Sequence, residues 1–265
     1  MKPLVCEMCG SSDLVKMDGL FQCQHCGTKY SVEEAKKMMF EGVVKIDNSE
    51  RNQNLYILAR RARDEGNSTR AAQYYEQLLL EDPNDWEASL YSVTMAAIDM
   101  TVGEIVRAAD SVYECLSTVF AIFVNNRPDE DEEEAILSEI QAHILDIGDM
   151  MYESAKENVG YFPKDFAMHQ EFMYQANAVT KMVLAVGDCL EYVFPESGVA
   201  CALAVDAWKM GMNIHYDARK TLKIKPQKDD TVIEYVTRIS EYDPGYKGDY
   251  KVSGWDKKAF LKKRR

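Results

Sequence analysis

Two short cysteine knuckles constrain this chain more than anything else in it. Cys6-Glu-Met-Cys9-Gly10 and Cys23-Gln-His-Cys26-Gly27 are two copies of one local device. A two-residue gap lets both sulfurs of a tight turn reach one ion, and the glycine after the second cysteine takes a backbone conformation that a β-carbon disfavours. Four thiolates close a tetrahedron and leave no position for water or substrate, so the expected ion is one structural zinc. Leu14–Met17 and Leu20–Cys23 flank Asp18-Gly19, the pattern of a two-residue hairpin that carries the second knuckle back towards the first. Thirteen residues separate Cys9 from Cys23, a gap that a tight hairpin covers. A rubredoxin-type iron site uses similar knuckles and is disfavoured by that short gap. His25 is a spare ligand on paper, but beside four cysteines it reads as a solvated side chain. So small a module buries too little apolar surface to fold alone, and metal binding would supply on the order of 10 kcal/mol of its folding free energy.

Ser31-Val-Glu-Glu34 is a capping box that starts a helix directly after the second knuckle. With the knuckles and hairpin, this block resembles the transcription factor IIB-type zinc ribbon. Met1–Met39 is similar to the head of a bacterial family that joins such a ribbon to a helical, tetratricopeptide-like body. The resemblance implies zinc at Cys6, Cys9, Cys23 and Cys26 and implies nothing about activity, since a ribbon alone does not carry a transcription role.

The formal charge is −13 and is unevenly spread. Residues 1–40 hold five bases and five acids, and Lys257–Arg265 hold six bases and no acid, which leaves −19 on residues 41–256. Such a body repels nucleic acid and anionic membrane. The remaining cysteines, Cys115, Cys189 and Cys201, stand alone in apolar runs and read as small buried hydrophobes. An odd total of seven, with Cys6, Glu7 and Cys9 interrupting any signal-like start, predicts a reducing, cytoplasmic setting. The richest apolar window, Val179–Phe194, contains Lys181, Asp188 and Glu191 and predicts a buried helix, not a membrane span.

The expected class is mainly α: a ribbon with a short helix over 1–40, a linker at 41–50, an α-helical domain over 51–245 and a basic tail over 246–265. Leu55, Leu58, Ala59 and Ala62 mark one helix face, Gly66-Asn67 breaks it, and Ala71, Tyr75, Leu78 and Leu79 mark the next, closed by Asp82-Pro83. The small–x3–aromatic pair Ala71 and Tyr75, with Pro83, resembles one tetratricopeptide repeat, although Leu55, Ala59 and Ala62 depart from the repeat's usual residues. Ile239–Tyr246 echoes Leu79–Trp86 in closing a helix with Asp-Pro. Further starts are expected at Asn84 or Asp85, at the Thr101–Glu104 capping box, after the acidic run Asp129–Glu134, at Pro163, at Pro195 and at Asp229-Asp230.

No phosphate loop, nucleophile elbow or paired-histidine metal helix occurs, and no catalytic residue is assigned. His169-x-Glu171 lacks the cysteine pair that a zinc deaminase needs. Glu139 and His143 read as an exposed pair one helix turn apart, and His215 as a packed or half-exposed core histidine. Met150, Met151, Met168, Met173 and Met182 read as soft packing. The basic tail reads as a frayed end. The expected function is that of a zinc-binding protein that engages a protein partner through its helical body. A nucleic-acid-associated regulator using ribbon and tail, and an enzyme with a site scattered over the helices, are the alternatives.

Overall fold

A computed structural model describes residues 5–17, 19–32, 34–35, 49–225, 229–248 and 252–264. The chain divides into two compact units, Met1–Arg51 and Asn52–Arg265. The expected linker lies outside the described residues up to position 48; Ser49 and Glu50 already belong to a helix.

The first unit is a three-stranded antiparallel sheet, β1 (Leu14–Met17), β2 (Leu20–Cys23) and β3 (Lys29–Ser31), in that order. Met17 pairs with Leu20 across the expected two-residue turn, where Gly19 stands at φ 80°. The register sets Leu14 opposite Cys23 and Phe21 opposite Tyr30. Those side chains form a small core with Cys6. Behind β3 the capping box closes: the Ser31 N–H donates to Glu34 Oε2 at 2.7 Å and the Glu34 N–H to Ser31 Oγ at 3.1 Å.

The second unit is helical: α1 (Ser49–Asp64), α2 (Ser68–Glu81), α3 (Trp86–Ile98), a 3₁₀ turn (Val102–Glu104), α4 (Ile105–Asn125), α5 (Glu130–Gly160), α6 (Phe166–Val193), α7 (Gly198–Thr221), α8 (Asp230–Tyr242) and α9 (Gly254–Arg264). Asn67, Asp85, Asp129, Asp165, Ser197 and Asp229 each turn a side-chain oxygen onto a backbone N–H of the first helical turn. The Thr101–Glu104 capping box is also formed, opening the 3₁₀ turn that leads into α4.

Two expected starts are corrected. α6 and α7 begin after Asp165 and Ser197, two residues beyond Pro163 and Pro195. Proline offers no acceptor to cap a helix; instead it sits second in a four-residue turn closed by Asp165 N–H to Phe162 O and Ser197 N–H to Phe194 O, both 3.1 Å. Asp82-Pro83-Asn84-Asp85 and Asp243-Pro244-Gly245-Tyr246 are the same turn, closed at 3.3 and 3.0 Å. In both, the aspartate N–H ends the preceding helix and its carboxylate accepts the N–H two residues on.

α6 is the centre of the unit, packed against α4, α5 and α7, while α7 also meets α5 and α8. Close approach explains its glycine: a Cβ on Gly187 would lie 2.5 Å from Trp208 Nε1 and 2.9 Å from the Ala204 carbonyl oxygen. Leu55, Ala59, Ala62, Ala71, Tyr75 and Leu78 join one core with Trp208, Met151 and Met182. Leu58, expected on that face, is exposed, because the inward stripe runs through Leu55, Ala59 and Ala62. The α1–α2 link is a Schellman turn, with Asn67 N–H to Ala62 O at 2.8 Å, Gly66 N–H to Arg63 O at 2.9 Å and Gly66 at φ 73°. The basic end forms α9, which packs on α8 through Lys257 Nζ to Ser240 Oγ at 2.7 Å, so the frayed-end reading is corrected. Among the described residues no helix is long and apolar enough to cross a membrane.

Candidate metal centre

The two knuckles are alike bond for bond. In the first, the Cys6 N–H reaches Ser11 O at 2.8 Å and the Gly10 N–H returns to Cys6 O at 2.7 Å; in the second, Cys23 reaches Thr28 and Gly27 returns to Cys23, both at 2.9 Å. Gly10 and Gly27 stand at φ 72° and 77°, the left-handed region that a side chain would strain. The hairpin brings these turns face to face, and the four Sγ atoms lie within 4.8 Å of one another. Cys6 and Cys26 are 3.5 Å apart across the hairpin, and Cys9 and Cys23 are 3.6 Å apart. A tetrahedron with metal–sulfur bonds of about 2.3 Å has edges of about 3.8 Å. The four donors are therefore gathered closely enough to hold one thiophilic ion. Cys6 and Cys23 are buried, while Cys9 and Cys26 face solvent.

The surroundings favour the thiolate at Cys6 and Cys26, whereas at Cys9, against the pull of the Ser11 N–H, burial and the neighbouring sulfurs raise the thiol to about 12. The Tyr30 hydroxyl lies 3.1 Å from Cys6 Sγ, and with the Met8 and Cys9 N–H groups it lowers the Cys6 thiol to about 6 against the cost of burial. The same contact raises Tyr30 to about 12. Thr28 holds Cys26 low through its hydroxyl, at 3.1 Å, and its N–H. Tyr30 and Thr28 are the supporting residues that the sequence left unmarked. They follow the second knuckle closely, but the side of β3 that Tyr30 faces depends on a strand register that the knuckle spacing does not specify, and Thr28 lies just before that strand. His25 is exposed and outside the cluster, and no other His, Cys, Asp or Glu group gathers in this way among the described residues.

The other marked residues serve the helical unit. Glu139 is exposed as expected, but His143 is half-buried and the two side chains bond to different partners. Glu139 accepts from Tyr91 at 2.5 Å and from Arg63 at 3.3 Å, whereas His143 lies against the Tyr91 ring with Nε2 2.9 Å from Thr94 Oγ1. The Thr94 hydroxyl donates to Leu90 O, so Nε2 is the donor to Thr94. Burial, helped by Arg63, pushes His143 down to about 4. His215 is buried 3.3 Å from Asp229, and Glu171 accepts from Gln175. Cys201 is buried; Cys115 and Cys189 are half-buried, with burial raising both thiols to about 11.

One cluster had no local signal. Arg238, only 5% exposed, pairs with Asp188 at 2.6 Å and Glu191 at 2.7 Å, and its guanidinium lies 4.1 Å from the Trp208 ring centre. Asp188 also accepts from Trp208 Nε1 at 3.0 Å and the Tyr235 hydroxyl at 2.7 Å. These bonds tie α6, α7 and α8 together.

Compared with models of known protein families, with curated proteins and with solved structures, the chain gives no match.

Proposed function

We propose that the chain is a cytoplasmic zinc-ribbon protein that works by binding another protein through its helical unit. The observation that carries the metal reading is the four-sulfur cluster held by two equivalent knuckles. Zinc is favoured over iron by the short gap between knuckles, and Cys6, Cys9, Cys23 and Cys26 would hold it. Bound there, zinc supplies folding free energy to a unit whose own core is a handful of side chains, and four thiolates leave it no open position for catalysis.

The interaction reading rests on the form of the second unit. Stacked helices joined by tight proline turns make rigid walls, and several clefts between them open to solvent. The net negative charge favours a basic or apolar protein partner and disfavours nucleic acid. A single tetratricopeptide-like hairpin over α1 and α2 is part of this reading, supported by the inward stripes of Leu55, Ala59 and Ala62 and of Ala71, Tyr75 and Leu78.

Affinity capture from cell lysate tests this with immobilised full-length protein and its Cys23→Ser/Cys26→Ser variant. A partner retained by both places the binding surface on the helical unit, as proposed. Retention by the wild type alone would move recognition to the ribbon. Absence of any retained protein in low salt overturns the interaction reading.

A further inference from the structure

Two clefts of the helical unit meet at Pro195 and Tyr242. One, of about 690 Å³, lies between α6 and α8 and includes Asp188, Glu191 and Tyr192. The other, of about 560 Å³, opens at the start of α7 and includes Glu196, Val205 and Asp206. Their walls carry four carboxylates and one cation, Arg238, whose charge is already engaged by Asp188 and Glu191. Glu196 and Asp206 have no cationic partner among the described residues. Tyr192, 88% exposed, lines the first cleft, and Tyr242, 44% exposed, lines both, so two aromatic rings stand in water along the double cleft and one of them borders Glu196 and Asp206.

We propose that this double cleft docks a lysine- and arginine-rich segment of a partner protein. The proposal rests on the interaction reading above and adds the surface and the chemistry of the partner. An apolar partner would strip water from Glu196 and Asp206 without replacing it, and an anionic one would be repelled. A basic side chain gains from both features, since a cation is attracted to a ring face and to a carboxylate together. The fold already uses that combination repeatedly for its own cations, and two cases show it. Arg238 lies over Trp208 beside Asp188, and Lys181 lies 3.8 Å from the Tyr113 ring centre and 3.5 Å from Asp110. At the double cleft the rings and acids are present and the cation would come from outside.

The test is fluorescence anisotropy of a labelled decapeptide of alternating arginine and alanine, titrated with the full-length protein. The wild type should bind, and more weakly as salt rises. Tyr192→Ala should weaken binding about fivefold and Glu196→Gln/Asp206→Asn about tenfold. None of the three has a bonding role in the fold. Asp146→Asn/Asp149→Asn removes the same charge from a different cleft and should stay within about twofold. Equal loss from both charge pairs, no effect of Tyr192→Ala, or no binding by the wild type overturns the proposal. If the probe fails while lysate capture succeeds, only this cleft is wrong. If capture fails as well, the interaction reading falls with it.

Discussion

Gly187→Ala should destabilise the helical unit although alanine is the better helix former. The new methyl would lie 2.5 Å from Trp208 Nε1, 2.7 Å from Trp208 Cδ1 and 2.9 Å from the Ala204 carbonyl oxygen. Ala204 is backbone of the neighbouring helix α7, and Trp208 is wholly buried, so neither can move aside cheaply. Overpacking of this kind costs about 1–3 kcal/mol. Displacing the indole also breaks its 3.0 Å bond to Asp188, at about 1.5 kcal/mol for a charged acceptor. Replacing glycine within a helix returns about 1 kcal/mol. The balance is a loss of about 1.5–3.5 kcal/mol, or roughly 3–14 °C in Tm for a unit of this size. Urea unfolding followed by circular dichroism at 222 nm measures it, with Gly160→Ala as the control. That position ends α5 with nothing within 4 Å of the added carbon, so the same exchange there should be neutral or stabilising by up to about 1 kcal/mol. Two variants that move the midpoint in the same direction would refute the close-packing explanation of α6.

Three further outcomes follow from single side chains. Tyr30→Phe removes the hydroxyl beside Cys6 Sγ and should weaken metal affinity about 10-fold or more in a chelator competition, leaving the stoichiometry intact. Lys223 caps α7 at φ 54° within a Schellman turn, where Ile224 N–H reaches Arg219 O at 2.9 Å; Lys223→Gly should raise stability by about 1 kcal/mol in the same urea assay. His143, at about 4 in the fold against about 6.5 in the unfolded chain, stabilises fully above pH 6.5 and loses that contribution as pH falls through 4. Wild type should therefore lose about 2 kcal/mol more than His143→Gln between pH 7 and pH 5, and parallel losses would place the acid sensitivity elsewhere.

The four-cysteine cluster was legible in the sequence because its signal is local. Each knuckle needs two cysteines and a glycine within five residues, and Asp18-Gly19 announces the turn that brings the knuckles together. Several helix starts were legible for a related reason: a cap needs an Asp, Asn, Ser or Thr oxygen at one position, and Asp85 and Asp229 supply it. The starts at Pro163 and Pro195 were misread because proline suits the first turn of a helix and the second place of a β-turn equally well; the Phe-Pro-x-Asp/Ser pattern, seen beside Asp82-Pro83-Asn84-Asp85, would have separated the two. Leu58 was misplaced because in a stripe of leucines and alanines the helical period admits more than one inward face. The Asp188–Arg238 cluster could not be found at all. Its partners stand 50 positions apart on α6 and α8 and meet only once those helices pack with Trp208 of α7 against both.

Elemental analysis of protein purified without added metal tests the central claim most directly. One zinc per chain, absent from Cys23→Ser/Cys26→Ser, is the result expected from four sulfurs within 4.8 Å of one another. Iron in the site, or folded protein that carries no metal and presents Cys6, Cys9, Cys23 and Cys26 as reactive thiols, would contradict it.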